Sequence, residues 1–126
     1  MTDAFSTPGW FRELLGVSGV LAAEDEDDEL PLTFRLAAMG TAFAAHDARL
    51  TPRQKQRVFG ILEEVQVSGS EYDGTAVATG FFEALLNAWD EGFDLQGVWE
   101  YVGPESRAYC LAWNRFTGVE TPAWMR

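Results

Sequence analysis

The chain has 126 residues, of which 47% are hydrophobic and 13% are aromatic, so it is long and apolar enough to form one domain with a real core. Its 20 acidic and 9 basic side chains give a formal net charge of -11, which disfavours direct binding to nucleic-acid phosphates and to anionic membranes. The single cysteine and the single histidine exclude an internal disulfide and every metal motif that needs two histidines.

Residues 14–23 form an apolar stretch without charge, and they supply about half of the roughly 20 residues that a membrane-spanning helix needs. The stretch also has the length of the apolar part of a signal peptide. The residues before it disfavour a leader, because Asp3 is acidic and Glu13 offsets Arg12. We therefore expect no membrane segment and a cytoplasmic location, which a lone cysteine also favours.

Charge is unevenly distributed along the chain. Residues 1–31 have a net charge of -7, residues 32–69 of +2, residues 70–102 of -7 and residues 103–126 of +1. The block 70–102 contains seven acids and no basic residue. This alternation predicts two acidic surfaces that are separate in sequence and that either merge or stay apart in the fold.

Two consecutive helices are predicted in the middle of the chain. Thr51 and Gln54 form the pattern of a capping box with Pro52 at the first helical position. Apolar residues then follow at helical spacing, and a similar stripe precedes the box and ends near His46 and Asp47. The two stripes are Val58, Ile61, Leu62 and Val65, and before them Leu32, Leu36, Met39 and Phe43. The short connection between the stripes predicts an antiparallel helical hairpin.

Three further helices are predicted after the turn at residues 68–70. The first spans about residues 74–90, where Gly80 would allow close approach of a neighbouring helix and Gly92 would end the helix. Asp94 resembles the N-cap of a short helix. The last helix begins at Pro104 and ends near residue 117, with Gly118 as its left-handed cap. Its predicted buried residues are Tyr109, Ala112, Trp113 and Phe116.

These elements predict an all-α fold, a compact bundle of five or six helices in a single domain that spans residues 1–126. The acidic segment 24–31 is predicted to be an exposed loop, and residues 118–126 form a C-terminal tail. Trp124 either pins this tail to the core or lies in a partner. The predicted core residues are Leu36, Phe43, Ile61, Leu62, Phe81, Leu85, Trp99, Trp113 and Phe116.

Six consecutive acids are the most unusual local feature, and they precede the helix-breaking Pro31. Because like charges in such density cannot lie in a core, the run is predicted to be exposed. Three alternatives remain for this run: a solvated loop, a docking patch for a basic partner, or a metal site. The metal site is the weakest alternative, because the run lacks the ligand pattern of an EF-hand loop. The six residues are Glu24, Asp25, Glu26, Asp27, Asp28 and Glu29.

A second acidic group surrounds aromatic residues in the block 70–102. Paired carboxylates can perform acid–base chemistry, but that needs a pocket and split pKa values. In a protein–protein interface the same residues would have other roles: the aromatic side chains would be anchors, and the acids would steer a basic protein towards the surface. The remaining alternative is that the tryptophans are core residues and the acids are ordinary solvent face. The group consists of Glu83, Asp90, Glu91, Asp94 and Glu100 around Trp89, Phe93 and Trp99.

The remaining reactive residues favour structural roles. Cys110 falls inside a predicted helix, away from a helix N-terminus that would lower its pKa, and is expected to be a buried thiol. His46 lies at a predicted helix end, where a cation is favourable. The basic cluster is expected to meet one of the acidic regions within the fold or in a dimer, or else to bind a small anion. This cluster consists of Arg49, Arg53, Lys55 and Arg57. No glycine-rich phosphate loop is present.

A small, acidic, single-domain helical chain without a catalytic set resembles, in type rather than in motif, the bacterial toxin-immunity proteins. That resemblance implies a non-enzymatic inhibitor whose acidic face blocks the active site of a basic toxin, without cofactor or metal. The expected contacts come from the acids around residues 83–94, assisted by the run 24–29, with Phe93 or another exposed aromatic residue as the anchor. The partner is a basic protein, with no direct nucleic acid or membrane, and the chain is a monomer or homodimer. The alternative is a nucleic-acid-mimicking regulator or adaptor of a basic protein.

Overall fold

The computed structural model describes residues 7–126, and within them it is all-α, as predicted, without a strand. The acidic start with Asp3 lies outside the described residues. The α-helices are α1 (Gly9–Leu15), α2 (Gly19–Ala22), α3 (Leu32–His46), α4 (Pro52–Ser68), α5 (Glu71–Ala76), α6 (Glu83–Asp90) and α7 (Pro104–Thr117). A π-helical segment, Val77–Phe82, joins α5 to α6, and short 3-10 turns span Asp47–Arg49, Gln96–Tyr101 and Ala123–Met125.

Side-chain caps determine where α4 and α5 begin. The capping box at Thr51 is confirmed: its hydroxyl accepts a bond from the Gln54 amide at 3.1 Å, and the Gln54 side chain accepts one from the Thr51 amide at 2.9 Å. The next helix begins at Glu71, three residues before the predicted start, because the Ser70 hydroxyl accepts a bond from the Asp73 amide. Thr79 lies in the π segment and donates its hydroxyl to the Thr75 carbonyl.

The helix α3 packs most closely against the π segment and α6, so the predicted hairpin with α4 is wrong. Glycines on both sides permit this approach. A Cβ atom at Gly80 would lie 2.5 Å from the Thr33 carbonyl oxygen, and one at Gly40 would lie 2.6 Å from the Phe81 carbonyl oxygen. The predicted role of Gly80 is therefore confirmed, while Gly40 was not recognised. Contact between α3 and α4 runs through the rings of Phe43 and Phe59.

Aromatic rings fill the centre of the core, where Phe43, Phe59, Phe81 and Phe82 pack mostly edge to face. Most of the predicted core is confirmed as buried, namely Leu36, Phe43, Ile61, Leu62, Phe81, Leu85 and Trp99. Two predicted core residues are wrong: Phe116 is 83% exposed, and Trp113 is only half-buried.

The helix α7 faces the core with a different side from the one predicted. Ser106, Cys110 and Asn114, spaced four residues apart, are buried, while Ala112 and Phe116 are exposed and Tyr109 is half-buried. The polar Ser106 is buried without penalty because its hydroxyl donates to Glu63 and accepts from Gln66. The Glu63 carboxylate also accepts the amides of Glu105 and Ser106, and so caps α7 from another helix.

The C-terminal tail is pinned to the rest of the domain. Gly118 has a φ of +77° and ends α7 as its left-handed cap, as predicted. The Trp124 ring then packs edge to face against Trp89 and Trp99, with ring centroids 5.7 Å apart in each pair. The neighbouring Met125 is buried. Of the two alternatives for Trp124, the structure therefore supports attachment to the core.

The acidic run is not uniformly exposed, because Asp25 forms an ion pair with the buried Arg35. Both oxygens of Asp25 accept hydrogen bonds from the Arg35 guanidinium, at 2.6 and 2.8 Å. The guanidinium also donates a hydrogen bond to the Thr7 hydroxyl and lies over the Phe11 ring. The predicted exposure is thus wrong for Asp25, since a guanidinium drawn into the core needs a carboxylate beside it. The other five acids are exposed.

The basic cluster does not pair with either acidic group in the described residues. Lys55 contacts Asp47 at 3.7 Å, and Arg57 contacts Glu13 at 3.3 Å. The prediction that this cluster meets the acidic run or the Asp90 region within the fold is therefore wrong for these two residues. Glu13 and Asp47 lie nearer in space and neutralise them locally.

Candidate functional site

The end of α6 presents a short acidic stretch to solvent. Gly92, with a φ of +116°, turns the chain after α6, as predicted, and the Phe93 amide donates to the Ala88 carbonyl. Asp90, Glu91 and Asp94 are exposed around this turn. Asp94 also accepts a bond from the Gly97 amide at 3.3 Å, although the N-cap of the 3-10 turn is Leu95 rather than Asp94 as predicted. Within residues 7–126, no arginine or lysine forms an ion pair with these acids.

Glu83 differs from the other members of the second acidic group, because its carboxylate is already bound. It accepts a bond of 2.5 Å from the Tyr109 hydroxyl, which connects α6 to α7. Burial, followed by this hydrogen bond, raises the pKa of Tyr109, so the phenol stays protonated and the contact is retained at alkaline pH. The role of Glu83 in the fold is therefore to join two helices, and it has less freedom to meet a partner than Asp90.

Phe93 is half-buried and packs edge to face against Phe43, with ring centroids 6.4 Å apart. It therefore contributes to the core as well as to the acidic turn. An exposed aromatic side chain is found instead on α7, where the ring centroid of Phe116 lies 6.2 Å from that of Trp113. The sequence pattern placed Phe116 in the core because it continues an apolar stripe. Its exposure became visible only in the tertiary structure.

The two acidic regions lie near different points of the continuous helical stretch 71–90. The run 24–29 is attached through Asp25 to Arg35, and the neighbouring Leu36 contacts the helix at Gly80. Asp90 lies further along that same helix, at a distance of roughly 15 Å for a helical rise of 1.5 Å per residue.

A cleft of about 390 Å³ lies between α6 and α7, beside the acidic turn. Its walls include Leu86, Trp89 and Asp90 from α6, and Trp113, Asn114 and Thr117 from α7. None of the lining residues, all of which belong to the part of the chain that the structure describes, is basic. The cleft thus combines two indole rings with a carboxylate, a composition suited to an organic cation.

Asn114 is the one polar residue of the cleft that is almost completely buried, with 1% of its surface exposed. Its amide nitrogen has two long contacts, at 3.4 Å to the Thr121 hydroxyl and at 3.6 Å to the Met125 sulfur. Its amide oxygen has no hydrogen-bond partner in the described residues. Buried polar atoms without a partner are uncommon and costly, so this oxygen marks a place where a hydrogen-bond donor is favourable.

The sequence did not identify this cleft, although it identified Asp90 and Trp89. The sequence feature that could have indicated the buried position of Asn114 is its spacing from Cys110, since residues four apart lie on one face of α7. Cys110 itself has 1% of its surface exposed, and burial raises the pKa of its thiol to about 12. The thiol therefore stays protonated and inaccessible at neutral pH, which confirms the expected buried position and argues against a nucleophilic role.

No helix in residues 7–126 combines the length and the apolar composition needed to cross a bilayer. In the same residues, no three histidine, cysteine or acidic side chains converge in a way that could hold a metal ion. No family model matches the chain, and neither a curated protein nor a solved structure matches it. The chemistry of the site is therefore the basis for a functional proposal.

Proposed function

We propose that the protein is a non-enzymatic binding protein of the immunity type, which acts in the cytoplasm and neutralises a basic toxin by covering its active site. The observation that carries this proposal is the exposed acidic stretch of Asp90, Glu91 and Asp94 at the end of α6. No basic side chain of the described residues neutralises it by an ion pair. The contact surface is this stretch together with the neighbouring face of α7.

Unneutralised carboxylates favour a basic partner for two reasons. They raise the rate of encounter with a positively charged surface, and they form charge-assisted hydrogen bonds with its arginines or lysines after docking. The net charge of -11 acts in the same direction over longer distances and disfavours contact with a second copy of the same chain. The proposal therefore favours a monomer that associates with a basic protein.

The apolar part of such an interface is available on α7. Phe116 is 83% exposed and packs beside Trp113, and Val119 is exposed nearby in sequence. Aromatic side chains of this kind supply most of the binding energy in protein interfaces, while charged residues at the rim add specificity and speed. Phe116 therefore replaces Phe93 as the proposed anchor, because Phe93 is partly committed to the core.

The experiment compares two variants that remove the same charge at different places. Asp90→Asn with Asp94→Asn changes the α6 stretch, and Asp27→Asn with Asp28→Asn changes the acidic run. Each immobilised protein is exposed to lysate and secreted fraction of the source bacterium at moderate salt, and the retained protein is identified. The purified partner is then expressed in a test bacterium with and without this chain, and its growth and enzymatic activity are measured.

We expect one basic protein that inhibits growth, and we expect co-expression of this chain to restore growth. The α6 variant should bind that protein at least about tenfold more weakly than the acidic-run variant, because a lost charged hydrogen bond at an interface costs about 1.5–3 kcal/mol. A captured protein without toxic activity would overturn the immunity proposal. Competition with DNA for the partner, without inhibition of toxicity, would instead support the nucleic-acid mimic.

A further inference from the structure

We propose that the cleft between α6 and α7 binds one arginine side chain of the protein partner. This inference rests on the proposed function and adds the chemical group that is recognised. Its basis is the combination of the Asp90 carboxylate, the Trp89 and Trp113 indoles and the unpartnered amide oxygen of Asn114 around one cavity. The acidic stretch alone would attract any cation, whereas this cavity is selective for a planar one.

The walls of the cleft fit a guanidinium group. Its flat face stacks on indole rings, and its aliphatic stem packs against Leu86. Its N–H groups form paired hydrogen bonds with a carboxylate, which Asp90 provides. A volume of about 390 Å³ is large enough for such a side chain and lies near the lower end of the ~300–1,000 Å³ that is typical of ligand pockets.

Asn114 supplies a second acceptor that the fold does not use. Its amide nitrogen faces Thr121 and Met125 in the C-terminal segment, and its oxygen consequently points away from them. The oxygen is covered in the structure, so the proposal requires that a neighbouring side chain of the cleft moves when the ligand binds. A guanidinium has five N–H donors and can bond to Asp90 and to Asn114 together.

Other ligands fit the cleft less well. An anion would meet the Asp90 carboxylate with no basic side chain in the lining to compensate. A neutral apolar group would leave the Asn114 oxygen without a partner. A lysine ammonium can pair with Asp90, but it is a compact charge that lacks the planar face for the indole rings.

The first test uses the full chain and two short blocked peptides, acetyl-Gly-Arg-Gly-amide and the same peptide with citrulline. Citrulline has nearly the same shape as arginine but no charge. Nuclear magnetic resonance spectra are recorded during titration, and the indole N–H signals of Trp89 and Trp113 are followed. We expect saturable shifts of both signals with the arginine peptide, and binding at least about tenfold weaker with citrulline, which corresponds to about 1.4 kcal/mol.

Asp90→Asn and Glu91→Gln form a matched pair for the same titration. They remove the same charge from adjacent exposed residues, but only Asp90 lines the cleft. We expect Asp90→Asn to weaken binding of the arginine peptide several-fold more than Glu91→Gln. Equal binding of the arginine and citrulline peptides, or equal effects of the two substitutions, would overturn the proposal. Equally tight binding of a lysine peptide would overturn the choice of a guanidinium.

Asn114→Leu separates a binding role from a structural one. Leucine has a similar size and removes the unpartnered oxygen, so the folded protein should keep or increase its melting temperature. Binding of the arginine peptide should become several-fold weaker at the same time. A residue with a purely structural role would show the reverse pattern, with lower stability and unchanged binding, and this outcome would contradict the assignment of Asn114.

The two proposals can fail separately. In one outcome, a captured toxin binds Asn114→Leu and the unmodified chain equally but loses affinity for the variant with Asp90→Asn and Asp94→Asn. This outcome would overturn the arginine cleft and leave the immunity proposal intact. Specific binding of the arginine peptide, together with capture of a partner that is not toxic, would overturn the immunity proposal and support the cleft.

Discussion

The ion pair between Asp25 and Arg35 provides the sharpest test of the fold. Asp25→Ala leaves Arg35, which is only 5% exposed in the structure, with the Thr7 hydroxyl and the Phe11 ring as its contacts and with Asp27 and Asp28 as more distant attracting charges. The hydrogen bond with Asp25 is the main reason why the pKa of Arg35 is raised, so Asp25→Ala lowers that pKa. Arg35 nevertheless stays charged at neutral pH, because the ordinary pKa of a guanidinium lies far above that pH. Leaving one partner of a buried ion pair uncompensated costs about 3–5 kcal/mol, a large part of the ~5–15 kcal/mol that stabilises a typical domain.

The measurement is urea unfolding followed by circular dichroism, with Glu26→Ala as the control. Glu26 is exposed and adjacent in the acidic run, so its loss should change the free energy of unfolding by less than about 0.5 kcal/mol. Replacing both partners, as Asp25→Ala with Arg35→Met, should recover most of the lost stability, because no buried charge is then left alone. The reasoning is refuted if Asp25→Ala unfolds at the same urea concentration as Glu26→Ala.

Three further predictions concern packing, capping and pH. Gly80→Ala should destabilise the folded protein by about 1–3 kcal/mol, because the new Cβ meets the Thr33 carbonyl. Gly60→Ala lies in open space on α4 and should stabilise the protein by about 0.5–1 kcal/mol. Thermal melts that show equal effects of the two substitutions would contradict this prediction. Glu63→Ala should cost about 1–2 kcal/mol in urea unfolding through loss of the α7 cap, and a similar loss for the exposed Glu64→Ala would refute the role of Glu63. Because burial raises the pKa of the Cys110 thiol to about 12, the unfolded chain releases this proton first as the pH rises. The contribution of this thiol to the free energy of unfolding should therefore fall by up to about 1.4 kcal/mol per pH unit above about pH 8.5, and Cys110→Ala should reduce the total slope in unfolding curves recorded across this range.

Local signals in the sequence predicted the helical elements well. The capping box at Thr51 and the left-handed Gly118 depend on residues within one turn of the helix end, and both are confirmed. The predicted start of the helix after residue 70 was late because the weaker cap at Ser70 was not given weight. Gly80 was recognised as a point of close approach, but its partner helix was not, because a glycine carries no information about what approaches it.

The candidate site could be predicted only in part. Asp90, Glu91 and Asp94 were selected because of their charge density, and they are exposed around one turn. Asp25 was grouped with its neighbours in the acidic run, since nothing near it in sequence indicates that Arg35 is buried. The cleft depends on two helices that meet, and its unpartnered Asn114 oxygen depends on how the tail lies across α7. Neither property is present in a stretch of sequence.

The sequence by itself determined that this chain is acidic, helical and able to form one core, because charge, helix capping and apolar spacing act over a few residues. The tertiary structure alone decided which side of α7 is buried. Ser106 is accepted in the interior because Glu63 and Gln66, some forty residues earlier in the chain, bond to its hydroxyl. Phe116 is left in solvent as a result, since a helix turned to bury Ser106, Cys110 and Asn114 presents Phe116 on its outer side.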